Sequence, residues 1–378
     1  MGAFLTAVVV AAGLLGTGAV PAATAEPLAL TAPTGRHPVG ATELHLKDTS
    51  RSDPWVPEQA FRELMVTVWY PAKTSQGTRV QYLSPEESRL ITEGKRLDPA
   101  VPREIFSTVA THAVAGAAPA GRAHSLPLIV LSPGWTQPMA TLSGLAEDLA
   151  SHGYVVAGIQ HTYETYAVTF PDGRITGCVA CELDDDRTFF GKLYRGRAAD
   201  VSFVIDELTG RDPAWRGGRL IDPSRIGAAG HSAGGASALA AMAGDRRIDA
   251  AIDIDGTTDT GGDPVVPATG VRRPFVVLSS ADHGPDSEDQ WLAADYGRAG
   301  GWKRWLTVAG TDHASFTDLG VFADQLGIDI GQTITGERAT EITRRYVRAT
   351  FDQHLRHRHQ PLLSGASTRY PEVAIAAR

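Results

Sequence analysis

Gly230-His231-Ser232-Ala233-Gly234-Gly235 is the stretch of this chain that decides its fold. It lies between an apolar run, Arg225 to Ala229, and a run of small residues that predicts a helix, Ala236 to Met242. A G-x-S-x-G nucleophile elbow needs such a strand, sharp turn and helix, because its serine occupies a strained turn and the flanking glycines relieve the crowding. The stretch therefore predicts that Ser232 is a nucleophile presented at the edge of a sheet.

The chain order of two later residues strengthens this interpretation. In a chain with 40 glycines, a bare G-x-S-x-G pattern is weak evidence. Here, however, Asp255 comes after a second apolar strand and His313 lies in a loop after a later one. Serine, then acid, then histidine is the chain order of the catalytic triads of α/β-hydrolases.

Apolar strands and amphipathic helices alternate through most of the chain. The predicted strands are 43–46, 63–70, 126–131, 154–159, 225–229, 248–254, 275–279 and 302–308, and the predicted helices are 84–93, 142–152, 187–208, 236–242, 287–296 and 337–355. Continuous apolar strands that alternate with helices indicate a parallel sheet buried on both faces. The sequence predicts an α/β-hydrolase fold with a mostly parallel central sheet flanked by helices. It also predicts one catalytic domain over residues 26–378, with an N-terminal strand extension.

A serine nucleophile requires a base, because a hydroxyl is barely nucleophilic at neutral pH until an imidazole takes its proton. His313 lies in the loop Gly310 to Phe316, directly after a predicted strand, where a base can face the serine. Three other histidines, His354, His357 and His359, lie on or just beyond a polar, arginine-rich helix end. We predict that these three are solvated and that His313 is the base.

Two aspartates compete for the role of the acid. Asp255 lies after the strand that directly succeeds the elbow, and Asp282 lies after the next strand along the chain. Both are predicted at the carboxyl edge of the sheet, where sites gather in open α/β folds, and either could orient the imidazole. Asp253 lies inside its strand and is predicted to be structural. The local pattern leaves Asp255 and Asp282 open.

The first 25 residues carry no charge and include a long apolar stretch, Ala3 to Val20. Small residues at positions 23 and 25 suit a signal peptidase, so we predict an export signal cleaved after Ala25 and a secreted protein. The missing lysine or arginine ahead of the apolar stretch departs from the usual pattern. The alternative is an uncleaved membrane anchor, since the stretch approaches the ~18 residues that can span a bilayer.

Charge and cysteine content exclude several classes of function. A formal net charge of -8 and a pI near 5.8 do not indicate the positively charged surface that nucleic-acid binding requires. The only two cysteines, Cys178 and Cys181, are predicted to form a disulfide in a loop of an exported chain. A redox pair would start a helix, and a zinc site would need more ligands than one pair of cysteines supplies.

Four motifs, in this order and spacing, resemble one family. The motifs are Leu131-Ser-Pro-Gly-Trp135, Gly230-His-Ser-Ala-Gly-Gly235, Asp253-Ile-Asp-Gly256 and Gly310-Thr-Asp-His-Ala-Ser-Phe316. They resemble the platelet-activating factor acetylhydrolase family, plasma and intracellular type II, and its bacterial relatives. Val39-Gly40, Asp48-Thr-Ser-Arg51 and Arg62-Glu-Leu-Met-Val-Thr-Val-Trp-Tyr-Pro71 are similar to the opening strands of that family, so the resemblance covers most of residues 33–350.

The resemblance implies roles for particular residues. It favours Asp255 as the acid, and it places the oxyanion hole at the backbone NH groups of Trp135 and Ala233. It implies cleavage of short-acyl phospholipid or other lipid esters through an acyl-enzyme, without a metal or an organic cofactor. The partner would then be a small ester or lipid molecule, with at most transient contact with a lipid surface.

Two features depart from the family pattern and leave the substrate open. Trp135 is a bulky residue after the glycine of the oxyanion loop, and the loop containing Cys178 and Cys181 has no counterpart in the pattern. Trp135, His161 and Tyr163 either line the substrate pocket or pack at strand ends. The alternatives are a broader lipase or polyester hydrolase, and a catalytically silent binding protein of the same fold.

Overall fold

A twisted central sheet organises the structure, a computed structural model that describes residues 27–97, 100–287 and 289–376. Twelve strands occur in these residues, ten of them in the central sheet and two in a separate hairpin. They are β1 (Val39–Asp48), β2 (Arg62–Pro71), β3 (Val114–Ala115), β4 (Leu126–Ser132), β5 (Val155–His161), β6 (Val168–Thr169), β7 (Ile175–Thr176), β8 (Ile221–His231), β9 (Ile248–Ile254), β10 (Phe275–Ser280), β11 (Lys303–Val308) and β12 (Val373–Ile375). The order in the central sheet is β12-β11-β10-β9-β8-β4-β5-β2-β1-β3, and β6 pairs with β7.

The middle of the sheet is parallel and its flanks are partly antiparallel. Six spatially adjacent strands, from β11 through β10, β9, β8 and β4 to β5, run parallel. Strand β2 is antiparallel to both β5 and β1, and β12 is antiparallel to β11. The prediction of a mostly parallel central sheet is confirmed, and the N-terminal strands extend it on one side.

Seven α-helices occur in the described residues. They are α1 (Pro85–Gly94), α2 (Ser143–Ser151), α3 (Phe189–Thr209), α4 (Ala233–Gly244), α5 (Gln290–Arg298), α6 (Asp318–Leu326) and α7 (Gly336–His354). Successive side chains of a strand point to opposite faces of a sheet. Accordingly, Ile129 packs with residues of α2 and α7, whereas its neighbour Leu128 packs with α3, α4 and α5. The parallel strands are therefore covered on both faces, and their carboxyl ends remain free to form a site.

Two sequence predictions concern other parts of the chain. The predicted export signal, residues 1–25, lies outside the described residues. None of the helices in the described residues combines the length and hydrophobicity needed to span a bilayer.

The prediction that His354 is solvated was wrong. Its ring lies 4.4 Å from that of Trp302, and burial lowers the pKa of His354 to about 4.

Candidate active site

Ser232 occupies the sharp turn between β8 and α4. Its backbone angles, φ 56° and ψ −127°, fall in a region that costs a non-glycine residue about 1–3 kcal/mol. The turn is held by hydrogen bonds: the NH of Ser232 donates to the carbonyl of Ile254 (2.8 Å), and its carbonyl accepts from the NH of Gly235 (2.8 Å). The geometry is that of the nucleophile elbow predicted from the sequence.

The glycines of the motif allow this turn to lie close to the neighbouring strand. A Cβ on Gly230 would overlap the backbone of Gly234, and one on Gly234 would overlap the carbonyl of Ser132 in β4. Neither overlap could be relieved by a side-chain rotation, because the obstructing atoms are backbone. These glycines are therefore required by close packing of the elbow against the strand that leads into the oxyanion loop.

The structure brings Asp255 and His313 together. Nδ1 of His313 lies 2.7 Å from Oδ2 of Asp255, and Oδ1 of Asp255 accepts a hydrogen bond from the NH of Ser280 (2.7 Å). Burial would raise the pKa of Asp255, but contacts with two imidazoles outweigh it and hold the pKa far below its usual range. The ionised carboxylate accepts a hydrogen bond from Nδ1–H of His313, which leaves Nε2 of that ring free to act as a base.

Asp282 is not part of this arrangement. It is exposed on the loop after β10, while Asp255 is fully buried at the end of β9 with a left-handed φ of 52°. Asp253, predicted to be structural, lies inside β9, where its Oδ1 accepts from the NH of Gly256 (2.9 Å). Burial raises the pKa of Asp253 well above its usual value.

His283 is a residue of the site that the sequence analysis missed. Its Nδ1 lies 3.2 Å from Oδ1 of Asp255, and its ring meets that of His313 edge-on at 5.7 Å. Contact with the carboxylate raises the pKa of His283. The signal available in the sequence was its position directly after Asp282, on a loop that succeeds a parallel strand.

His231, the residue before the nucleophile, holds the histidine loop in place. Its ring lies 4.5 Å from that of His313, and its Nε2 donates to the main-chain carbonyl of His313 (2.8 Å). Burial and the neighbouring His313 lower the pKa of His231 to about 3, so its ring is neutral. Because a carbonyl can only accept, the proton of this ring is on Nε2.

The two predicted oxyanion donors flank the serine. The NH groups of Trp135 and Ala233 donate to no acceptor in the part of the chain that the structure describes. A Cβ on Gly134 would lie 3.4 Å from Cβ of Ser232, so the loop between β4 and Trp135 passes close to the nucleophile. Two unoccupied NH groups beside a nucleophile can receive the negative oxygen of a tetrahedral intermediate.

A buried cluster of charges holds the oxyanion loop from behind. Arg197 donates from Nη1 to the carbonyl of Pro133 (2.6 Å) and from Nε to Glu164 (2.6 Å). Arg62, with no exposed surface, donates to Asp53, Glu164 and Asp200. Opposite charges that are fully hydrogen-bonded to one another tolerate burial, whereas breaking such a set is strongly destabilising. The cluster therefore fixes the main chain that carries the NH of Trp135.

His161 belongs to this buried cluster and not to a substrate pocket. Its Nε2 lies 2.9 Å from Oγ of Ser132, and its Nδ1 lies 2.7 Å from Oδ2 of Asp200. The three side chains repeat the order of a catalytic triad, but none is more than 1% exposed, so no substrate can reach Ser132. Of the two alternatives for His161, the structure supports packing at a strand end, because that end is buried.

Aromatic side chains surround the other side of the elbow. Trp135 is partly exposed and meets Phe189 edge-on at 4.9 Å, and Phe189 meets Phe190 at 5.2 Å. Tyr163 is partly exposed in the same group and donates from its hydroxyl to Gln59 (2.7 Å). Nearby, Cys178 is joined to Cys181 by a disulfide, and the NH of Ala180, between them, donates to the carbonyl of Tyr163. The serine therefore faces a largely aromatic surface.

Two clusters in the described residues are compact enough to hold a metal ion. One consists of Asp255, His283 and His313, and the other of His161, Glu164 and Asp200. In the second cluster, arginines already neutralise both carboxylates, which disfavours a further cation. In the first, the ionised carboxylate is shared between the two imidazoles. In this arrangement the ionised Asp255 orients His313, whose Nε2 can act as a base.

Comparison with known proteins identifies relatives of two kinds. The family model described as platelet-activating factor acetylhydrolase, isoform II, matches residues 23–173. A probable 1-alkyl-2-acetylglycerophosphocholine esterase of Arthroderma benhamiae is 28% identical over 274 residues, which are 68% of this chain and 67% of the relative. A solved structure of a ferulic acid esterase from Streptomyces cinnamoneus is 42% identical, with a TM-score of 0.81 over 93% of this chain and 99% of its own. These matches confirm the resemblance to the platelet-activating factor acetylhydrolase family.

The match to the ferulic acid esterase structure confirms the α/β-hydrolase fold. The three matches also confirm that the chain is a carboxylic ester hydrolase. The family model ends before the elbow, so the match rests on the opening strands and the oxyanion loop. The roles of individual site residues rest on the geometry of the site.

Proposed function

We propose that this protein is a serine esterase that cleaves esters of small acyl groups through an acyl-enzyme on Ser232. The observation that carries the proposal is the buried, ionised Asp255 bonded to Nδ1 of His313, next to a serine held in a strained elbow. This arrangement orients the imidazole and makes its free nitrogen a base, which is the function that a triad requires.

The proposed reaction uses each group in turn. Nε2 of His313 takes the proton of Ser232 as its Oγ attacks the ester carbonyl, and the resulting oxyanion accepts hydrogen bonds from the NH groups of Trp135 and Ala233. Collapse of the intermediate expels the alcohol, which receives the proton from His313. A water molecule then attacks the acyl carbon while giving a proton to the same nitrogen. The second intermediate collapses and releases the acid as His313 returns that proton to Oγ of Ser232. Two preorganised donors lower such a barrier by several kcal/mol, about 3–4 for each.

Short-acyl phospholipid or lipid esters are the substrates that the family resemblance favours. The Arthroderma benhamiae relative is named as an esterase of 1-alkyl-2-acetylglycerophosphocholine, an acetyl ester. The bulky Trp135 beside Ser232 is consistent with a small acyl group.

A second substrate class, esters of aromatic acids, is supported by a different observation. Trp135, Phe189 and Phe190 form an aromatic surface beside the serine, and aromatic rings pack favourably edge-on or offset against such surfaces. The Streptomyces cinnamoneus relative, which is 42% identical, is named as a ferulic acid esterase. A broader lipase activity gains no comparable support.

A panel of p-nitrophenyl esters with acetyl, butyryl, feruloyl and palmitoyl groups tests the proposal. We expect turnover of the small or aromatic esters, a palmitate rate at least about tenfold lower, and labelling of one serine by a fluorophosphonate probe. Turnover greatest on palmitate would favour a lipase. Absence of both turnover and labelling would contradict the enzyme and leave a binding protein of the same fold.

We also propose that the protein is exported and that its mature form is a single catalytic domain over residues 26–378. The uncharged apolar stretch with small residues at positions 23 and 25 supports export, and a disulfide between Cys178 and Cys181 suits an oxidising compartment. Expression with the native N-terminus, followed by mass spectrometry of the culture medium, tests this. We expect a chain that begins at Glu26; a full-length chain held in the membrane fraction would indicate an anchor instead.

A further inference from the structure

Asp255 is flanked by two imidazoles, and the proposed triad uses only one of them. Nδ1 of His313 lies 2.7 Å from Oδ2 of this carboxylate, and Nδ1 of His283 lies 3.2 Å from its Oδ1. The three side chains place their nitrogen and oxygen atoms within 4.8 Å of one another. A triad needs one acid and one histidine, so the orientation of His313 does not account for His283.

The contact that His283 makes with the carboxylate is unlike that of His313. Its Nδ1 is shielded from solvent, and among the described residues it has no hydrogen-bond partner of good geometry, although Oδ1 of Asp255 is 3.2 Å away. A buried polar atom without a partner costs free energy. A cation between this nitrogen and the carboxylate would satisfy both, because each offers a lone pair.

Two imidazole nitrogens and one carboxylate are a ligand set that suits zinc. In zinc sites with three protein ligands, a water molecule takes the fourth position of a tetrahedron, and the bonds are about 2.0–2.2 Å long. Neighbouring ligand atoms are then about 3.2–3.6 Å apart, so each atom of this cluster needs to move by about 1 Å or less. Magnesium and calcium prefer several oxygen ligands, and one carboxylate does not supply them.

Solvent reaches this cluster from the side of the imidazoles. The side chains of His283 and His313 are 38% and 43% exposed, whereas Asp255 is fully buried beneath them. His283 lies on the loop after β10, and His313 begins a short 3₁₀ helix, so neither residue is held inside a strand. An ion can therefore enter, and the imidazoles can adjust to it, without any disturbance of the central sheet.

We propose that Asp255, His283 and His313 form a zinc site whose occupation inhibits the enzyme. Zinc binds a neutral imidazole through its unprotonated nitrogen. When Nδ1 of His313 binds the ion, the single proton of that ring is on Nε2, so the ring cannot take the proton of Ser232. A chelator that removes the zinc restores the active tautomer. The metal site stands on the geometry of the cluster, and its inhibitory effect rests on the esterase activity proposed above.

The test measures zinc binding and zinc inhibition separately. Calorimetric titration with zinc chloride gives the Kd, and hydrolysis of p-nitrophenyl butyrate gives the zinc concentration that halves the rate, each variant being compared with its own metal-free rate. We expect inhibition that excess chelator reverses, and no inhibition by magnesium or calcium at the same concentrations. His283→Ala should raise both the Kd and the half-inhibiting concentration by at least about tenfold, since loss of even a supporting residue costs about 10- to 100-fold in metal affinity.

His359→Ala is the matched control, because His359 is an exposed histidine outside the cluster. It should keep the zinc affinity and the zinc inhibition of wild type. Ser232→Ala keeps all three ligands and should bind zinc as wild type does, so the binding measurement does not depend on activity. If His283→Ala is unstable by thermal unfolding, His283→Phe replaces it, since phenylalanine keeps a ring but has no nitrogen.

Absence of zinc binding, or equal zinc affinity in wild type and His283→Ala, overturns the inference. Zinc that binds at the cluster without slowing hydrolysis contradicts the inhibition. If wild type hydrolyses no ester even with chelator present, the proposed function fails, and a loss of zinc binding in His283→Ala still supports the metal site.

Discussion

Replacement of Ser232 by alanine is expected to lower kcat/KM for every ester substrate by about 10⁴- to 10⁶-fold. The elbow carries this hydroxyl on a strained turn, and the proposed base, His313, is bonded to Asp255. Without Oγ no acyl-enzyme can form, and only the binding and oxyanion contributions remain. Hydrolysis of p-nitrophenyl acetate and butyrate, with active-site titration of the wild type, measures the loss.

Ser224→Ala provides the matched control for this change. Ser224 lies on the same strand, β8, but at its exposed end, where it bonds only to Asp222. It should retain both turnover and labelling by a fluorophosphonate. Labelling of the Ser232→Ala protein with undiminished yield would show that another hydroxyl is the nucleophile and would contradict the assignment.

The elbow and the central strands could be predicted from the sequence because their signals are local. Strand β9 has the predicted bounds, and Ser232 has the strained backbone that the motif requires. Apolar runs that are buried on both faces have no polar interruption, so they stand out in the sequence as continuous segments. The ends of helices and strands were predicted less accurately than their middles. Helix α3 begins at Phe189, two residues after the predicted start, because Asp186 and Thr188 form a turn before it.

The remaining parts of the site depend on contacts between residues far apart in the chain. Arg62 bonds to Asp200, 138 residues away, and no local pattern predicts that pairing. Contacts of this kind also decide the surroundings of His161. The sequence predicts it at a strand end, and the charge cluster buries it there. His283 was missed because its role depends on where its loop lies over Asp255, and no local pattern encodes that distance.

Replacement of Asp255 by asparagine is expected to lower kcat for ester hydrolysis by about 10⁴-fold while leaving KM within a few-fold of wild type. An asparagine would fill the same buried space, but its amide group could donate to Nδ1 of His313 and so favour the tautomer with its proton on Nε2. That tautomer cannot take the proton of Ser232. The pH dependence of kcat, measured with p-nitrophenyl butyrate, should show recovery of activity at high pH, where hydroxide replaces the missing base.

Asp282→Asn is the control that separates the two acids left open by the local pattern. Asp282 is exposed, and the two imidazoles of the site contact Asp255, so this change should alter kcat by less than about twofold.

Because the pKa of Asp255 is held far below its usual range, its carboxylate stays ionised as the pH falls towards neutral and below. The acid limb of the wild-type pH profile therefore reports an imidazole, and Asp282→Asn should not shift it. A steep loss of kcat in Asp282→Asn, together with an active Asp255→Asn protein, would contradict the assignment and make Asp282 the acid. His283, the next residue after Asp282, would then be the residue to re-examine as the base.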